Sequence, residues 1–212
     1  MQFISERYEA WGWLFLPFIL RTAPAVCVSL PTEEELQKVI PEEYRELTDR
    51  NITVFIDPLD GTKEFIKGSD TVPMAMLGIC LDHEPIAGIL YQPFLEKFTL
   101  GIVGSGCFQV KEGNLQPVSL PQSTENITIT TSNSHFTDTI KERLQKLKPK
   151  QIIREGGAGF KVLSLLEGRA SVYCYPSGGT SLWDSCAPEA CIIAAGGMLT
   201  DCLVRLVVPV LC

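Results

Sequence analysis

Histidine is scarce in this 212-residue chain, which has only His83 and His135, and none of its eight cysteines stands in a Cys-x-x-Cys pair. That argues against a structural zinc cluster, which needs four such ligands at close spacing. A basic excess is also missing, with 18 Lys and Arg against 25 Asp and Glu and a formal net charge of −7. A broad nucleic-acid or anionic-membrane surface is therefore not expected. Any bound phosphate must be held locally, by metal ions and a few placed cations. The N-terminal apolar run Trp11–Leu20 is ten residues long and broken by Pro17. That is half of what a membrane-spanning helix requires. Ala23-Pro24-Ala25 imitates a signal-peptidase site, but Glu6 and Glu9 occupy a leader that should be basic. A cytoplasmic protein with reduced thiols is the expectation. Internal repeats and low-complexity segments are absent.

What is present reads as a globular chain, 45% hydrophobic and 20% charged. Thr32 caps a helix with Glu35 at the capping-box position, and Pro41 splits that helix before Leu47. Strands follow at 72–81 and 85–91 around the turn Asp82-His83-Glu84, then at 98–103 and 107–111. Further strands are read at 127–131, 151–154 and 170–175, with helices at 137–147, 158–166 and 183–195. Strands alternating with helices make an α/β or α+β sheet protein. Three parts are expected: an atypical segment 1–30, an α+β part 31–120 carrying the metal site, and an α/β part 121–212, with 114–125 as the boundary.

The chain is organised around Ile52–Phe65, where a β-branched run ends in Asp57-Pro58-Leu59-Asp60-Gly61-Thr62. Two carboxylates three residues apart repel unless a cation neutralises them. A hard divalent ion such as Mg²⁺ takes carboxylate and carbonyl oxygens and keeps waters that a phosphate can replace. A helix starting at Gly61-Thr62 offers free N–H groups to the same anion. An ordinary acidic turn is the alternative for this stretch alone. In Gly178–Ala190 a glycine-rich loop feeds a helix whose first turn holds Asp184, either a cap or a third carboxylate for the same ion. Gly156-Gly157-Ala158-Gly159 precedes Lys161, either a flexible loop or a close ligand approach. Thr130–His135 ends a strand in hydroxyls and a histidine, as a turn or a ligand-facing loop does.

Together these residues resemble the Mg²⁺-dependent, lithium-inhibited phosphatases that include inositol monophosphatases and fructose bisphosphatases. Asp57–Thr62 meets the family pattern Asp-Pro-x-Asp-Gly-Thr, and Trp183-Asp184-Ser185-Cys186-Ala187 meets Trp-Asp-x-x-Ala. Ile86–Pro93 and Gly156–Lys161 point to the bisphosphate nucleotidase branch. The resemblance implies a layered α/β/α/β/α sugar-phosphatase fold. It also implies hydrolysis of 3′-phosphoadenosine 5′-phosphate to AMP, or else of an inositol phosphate, with two or three Mg²⁺ ions. A catalytically inactive nucleotide- or metal-binding form is the other alternative. By this resemblance Asp57, Asp60, the Leu59 carbonyl and Asp184 bind metal, and Thr62 orients the attacking water. Gly61 and Thr62 hold the scissile phosphate, while Ser132, His135, Gly157 and Lys161 contact the nucleotide. A monomer or weak homodimer is expected.

Two departures accompany the resemblance. The family carries a Gly-Glu-Glu motif upstream, whose metal-bridging glutamate would fall near Trp11–Leu20, where nothing is acidic. The family pattern also continues beyond Thr200-Asp201, so a truncated or alternatively spliced form of impaired activity is expected.

Overall fold

The computed structural model describes residues 31–45, 47, 51–121, 127–134, 136–175 and 178–200. The apolar run Trp11–Leu20 and the segment after Thr200 lie outside them. The first described elements are α1 (Glu33–Val39) and α2 (Glu42–Arg45), split at Pro41. Thr32 and Glu35 form the capping box that the sequence reads, with Thr32 N–H donating to Glu35 Oε2 at 2.8 Å.

The chain then folds as an antiparallel meander. Strands β1 (Ile52–Asp60), β2 (Met74–Leu81), β3 (Glu84–Gln92), β4 (Lys97–Ile102), β5 (Gly106–Lys111) and β6 (Asn114–Val118) lie in sequence order in one six-stranded sheet. Short helix α3 (Thr62–Ile66) sits between β1 and β2. The sequence reading has no strand at 114–118, because Asn114-Leu-Gln-Pro-Val118 is polar and contains a proline. Proline lacks a ladder donor and is tolerated on an edge strand, which is where β6 stands.

The second sheet is parallel, in the order β8-β7-β9, from β7 (Thr128–Ser132), β8 (Gln151–Glu155) and β9 (Val172–Tyr173). Helices α4 (Asp138–Gln145) and α5 (Ala158–Leu166) supply the crossovers that parallel strands require. Strand β9 is two residues long, shorter than the 170–175 read from the sequence. The mixed α/β class agrees with the sequence.

Helix α6 (Leu182–Ala194) joins the two parts. Although it follows the parallel sheet, it lies across the meander in a trough made by three glycines. Gly78, Gly88 and Gly101 are register partners on β2, β3 and β4. A Cβ on each would fall 2.4 Å from Cys186 Sγ, 2.2 Å from the Ala187 carbonyl oxygen and 2.5 Å from Cys191 Cα, respectively. Helix and sheet thus approach at backbone distance. Cys80 and Cys186 Sγ lie 3.3 Å apart, and Cys191 Sγ donates to the Gly88 carbonyl at 3.4 Å. Met74, Met76, Leu90, Val162, Leu163, Leu166, Ala187 and Ile192 complete the main core.

Glu189 is buried on the same helix, and its Oε2 has no hydrogen-bond partner. Burial, aided by Glu84, pushes its carboxyl up from 4.5 to about 7. The folded state therefore holds a proton that the unfolded chain releases. This stabilisation is full below pH 4.5 and is lost as pH rises through about 7. Glu189→Gln should accordingly gain on the parent as pH rises, by up to about 3 kcal/mol. Urea midpoints at pH 5.5 and 8.5 check this, and an equal gap at both values would refute it.

Candidate active site

The position of the two motif carboxylates follows from an irregularity in β1. Asp57 pairs with Met76 and Asp60 pairs with Met74, so β1 spends three residues where β2 spends two. Residues three apart on a regular strand point to opposite faces. The extra residue is a β-bulge, which puts both acids on the face shared with Met74 and Met76. Pro58, with no N–H to lose, fits this interruption.

Asp60 is 7% exposed, and each of its oxygens accepts one backbone bond, which leaves a lone pair on each. Its Oδ1 accepts from Ala158 N–H at 3.0 Å and its Oδ2 from Gly159 N–H at 2.9 Å, both at the start of α5. Gly157 permits this approach: its φ is +68°, and a Cβ there would lie 2.9 Å from Asp60 Oδ2. Asp57 Oδ1 accepts from Leu59 N–H at 3.0 Å, and Thr62 Oγ1 donates to the Leu59 carbonyl at 2.9 Å. Asp184 enters from α6, where its Oδ2 accepts from Ser181 N–H at 2.7 Å in a capping box. The cap and the third carboxylate, alternatives in the sequence, are the same residue.

Asp57, Asp60 and Asp184 each offer an oxygen within 4.8 Å of the others. Burial, then the charges of Asp60 and Asp184, pushes Asp57 up to about 7 against the Leu59 N–H bond. Burial also raises Asp60, although two backbone N–H bonds and Lys161 oppose it. Such a cluster carries a repulsion that a hard divalent cation would relieve, and its all-oxygen donor set suits Mg²⁺ rather than a thiophilic metal.

A cavity of about 280 Å³ opens beside the acids. Of the residues singled out from the sequence, Asp60, Gly61, Thr62, Ser132, Gly157, Lys161 and Asp184 line it. Asp57 and Leu59 are not among the lining residues but are linked to Thr62, which is, through the bonds above. His135 lies outside the described residues. Lys161 is 4% exposed; its Nζ donates to the Gly157 carbonyl and stands 5.3 Å from the Tyr173 ring centroid. Burial lowers its pKa, against the pull of Asp60 and Glu155.

Sequence reasoning missed several participants. Glu155 holds the glycine-rich loop from behind: its Oε2 accepts from Thr130 Oγ1 and Ser164 Oγ, and its Oε1 from Arg169 Nη1, each at 2.6 Å. Tyr173, Tyr175, Glu64 and Thr180 also face the cavity. The alternation Val172-Tyr173-Cys174-Tyr175 was the available signal, since every second residue of an extended chain shares a face.

Comparison with known proteins places this geometry. The inositol monophosphatase family profile matches residues 27–208. The chain is 35% identical over 186 residues to 3′(2′),5′-bisphosphate nucleotidase 1 of Dictyostelium discoideum, covering 81% of this chain and 59% of that protein. It is 35% identical over 181 residues to the Homo sapiens protein of the same name, covering 80% and 56%. The chain thus spans somewhat over half the length of these curated relatives. Among solved structures, CysQ from Bacteroides thetaiotaomicron, a bacterial member of the inositol monophosphatase family, superposes with a TM-score of 0.60 at 25% identity over 69% of this chain and 60% of that one. From its bulged acid pair to its docked third carboxylate, this chain belongs to the inositol monophosphatase family.

Proposed function

We propose that the chain is a Mg²⁺-dependent phosphoric monoester hydrolase that removes the 3′-phosphate of 3′-phosphoadenosine 5′-phosphate, giving AMP and phosphate. The observation that carries the reading is the convergence of Asp57, Asp60 and Asp184 beside the cavity lined by Gly61, Thr62 and Lys161. The bisphosphate nucleotidase relatives supply the substrate class.

Asp57, Asp60, the Leu59 carbonyl and Asp184 would hold Mg²⁺, which supplies Lewis acidity and neutralises the carboxylates. The protein's own groups do the rest. Thr62 Oγ1 spends its proton on the Leu59 carbonyl, so its lone pairs remain to accept from, and orient, the attacking water. Gly61 and Thr62, at the start of α3, hold the scissile phosphate. Lys161 adds a positive charge to the cavity lining, and its bond to Gly157 keeps that charge beside the glycine-rich loop. Ser132 and His135 contact the nucleotide. Positioning and electrostatic complementarity are what phosphoryl transfer chiefly demands of a protein.

Phosphate release from 3′-phosphoadenosine 5′-phosphate should require Mg²⁺, stop on chelation, return on Mg²⁺ re-addition, and be inhibited by Li⁺. Turnover of inositol 1-phosphate alone would overturn the substrate, and release that survives chelation would overturn the metal dependence.

A further inference from the structure

Thr62, Lys63 and Glu64 are consecutive in α3, and all three line the cavity. Glu64 is committed to the protein. Its side chain is 12% exposed and faces Lys67 Nζ at 3.8 Å. It also lies against Gly156, where a Cβ would meet the Glu64 Cδ at 2.0 Å. Lys63 is exposed, and among the described residues it makes no ion pair. Lys161, the other lysine of the lining, is differently placed. It is buried, its Nζ donates to the Gly157 carbonyl, and it stands 5.3 Å from the Tyr173 ring centroid. One cation is thus held on the glycine-rich loop, and the other still has its donors to give.

A nucleotide bisphosphate brings two phosphate groups of about −1.5 to −2 charge each. By the reading above, Gly61 and Thr62 hold the scissile one. The other must lie along a lining that sets Asp60, Glu64 and Asp184 against Lys63 and Lys161. Carboxylates outnumber ammonium groups there, so a second phosphate is repelled wherever no cation faces it. Asp60 marks the buried end of the cavity and exposed Lys63 its solvent side. A flexible four-carbon stem with three rotatable donors suits Lys63 to a phosphate that projects outward from the acid cluster.

We propose that Lys63 is a specificity-determining residue that binds the second, non-scissile phosphate of the substrate, so that the site prefers a nucleotide bisphosphate to a monophosphate. This rests on the nucleotide reading above and names the side chain that would enforce it. A hydrogen bond from ammonium to phosphate is charge-assisted on both sides, and losing it corresponds to about tenfold or more in affinity.

Phosphate release by the full chain in Mg²⁺ from 3′-phosphoadenosine 5′-phosphate and from adenosine 3′-monophosphate, which differ by the 5′-phosphate, tests the assignment. The parent kcat/KM should favour the bisphosphate by about tenfold or more. Lys63→Met, which keeps the stem and removes the charge, should lower that ratio by about tenfold, chiefly through KM. Lys63→Arg, which keeps the charge, should retain most of the preference. A parent without the preference, a methionine variant that keeps it, an arginine variant that loses it, or a loss confined to kcat overturns the proposal. Binding separates the two readings. If neither nucleotide is hydrolysed, the proposed reaction fails, and equilibrium titration of the same proteins with the same two nucleotides reads the ratio as Kd. Release with the parent ratio in Lys63→Met refutes Lys63 alone.

Discussion

Asp57→Asn should abolish Mg²⁺-dependent phosphate release, by about 10³-fold or more, while leaving the fold intact. Asparagine is nearly isosteric and can still accept from Leu59 N–H, so the bulge keeps its bond. What disappears is one of three charges gathered within 4.8 Å. Without metal, removing that charge relieves repulsion, so the metal-free variant should melt at or above the parent temperature. Asp60→Asn should behave differently although its activity loss is as large. Both Asp60 oxygens accept backbone N–H groups, from Ala158 and Gly159. An amide –NH₂ would point a donor at a donor, leaving a buried group unmatched at a cost of about 1–3 kcal/mol. The pair is read by phosphate release, Mg²⁺ titration and metal-free melting. If Asp57→Asn turned over substrate at the parent rate, the metal assignment would be wrong. If both variants lost equal stability, the bond account of Asp60 would be wrong.

The second large effect is predicted far from the chemistry. Gly88→Ala should destabilise the protein by about 3 kcal/mol or more, because overpacking against backbone has nowhere to relax. The added carbon would meet the Ala187 carbonyl oxygen at 2.2 Å and its Cα at 2.9 Å. For a chain of this size that is a drop of roughly 10 °C in melting temperature. Gly178→Ala is the control, since nothing lies within 4 Å of the added carbon; its effect should stay within about 0.5 kcal/mol. Calorimetry on both variants decides the matter, and a Gly88→Ala protein that melts with the control would remove the trough from the account. Its Mg²⁺ affinity should fall as well, because displacing α6 displaces Asp184.

These two predictions divide what the sequence makes legible from what it hides. Local chemistry is written in adjacent letters. The Thr32–Glu35 capping box, the helix start after Gly61, and the acid and glycine motifs need only neighbours to be recognised. The bulge is not so written: Asp57 and Asp60 share a face because of a slip against Met74 and Met76 on another strand. Gly78, Gly88 and Gly101 each read as unremarkable interior residues of an apolar strand. Their role exists only when three strands align and a helix from the far end of the chain arrives. Glu155 was passed over for the same reason, since Thr130, Ser164 and Arg169 meet it only in the folded state. Tyr173 and Tyr175 look like strand filler until the cavity beside them is known.

The docking of α6 gives the cation a second office. Cys191 and Gly88 touch across 103 residues of chain. Contacts of that separation are entropically the dearest to close, and nothing rewards the closure until it is complete. Two of the three carboxylates ride on the meander and the third on the helix that must find it. Because an ion engaging all three carboxylates favours only the assembled state, its binding energy is spent in part on holding helix to sheet. Mg²⁺ would then be a clasp for the tertiary structure as much as a participant in the proposed hydrolysis. Losing it should loosen α6 from the sheet before the meander itself gives way.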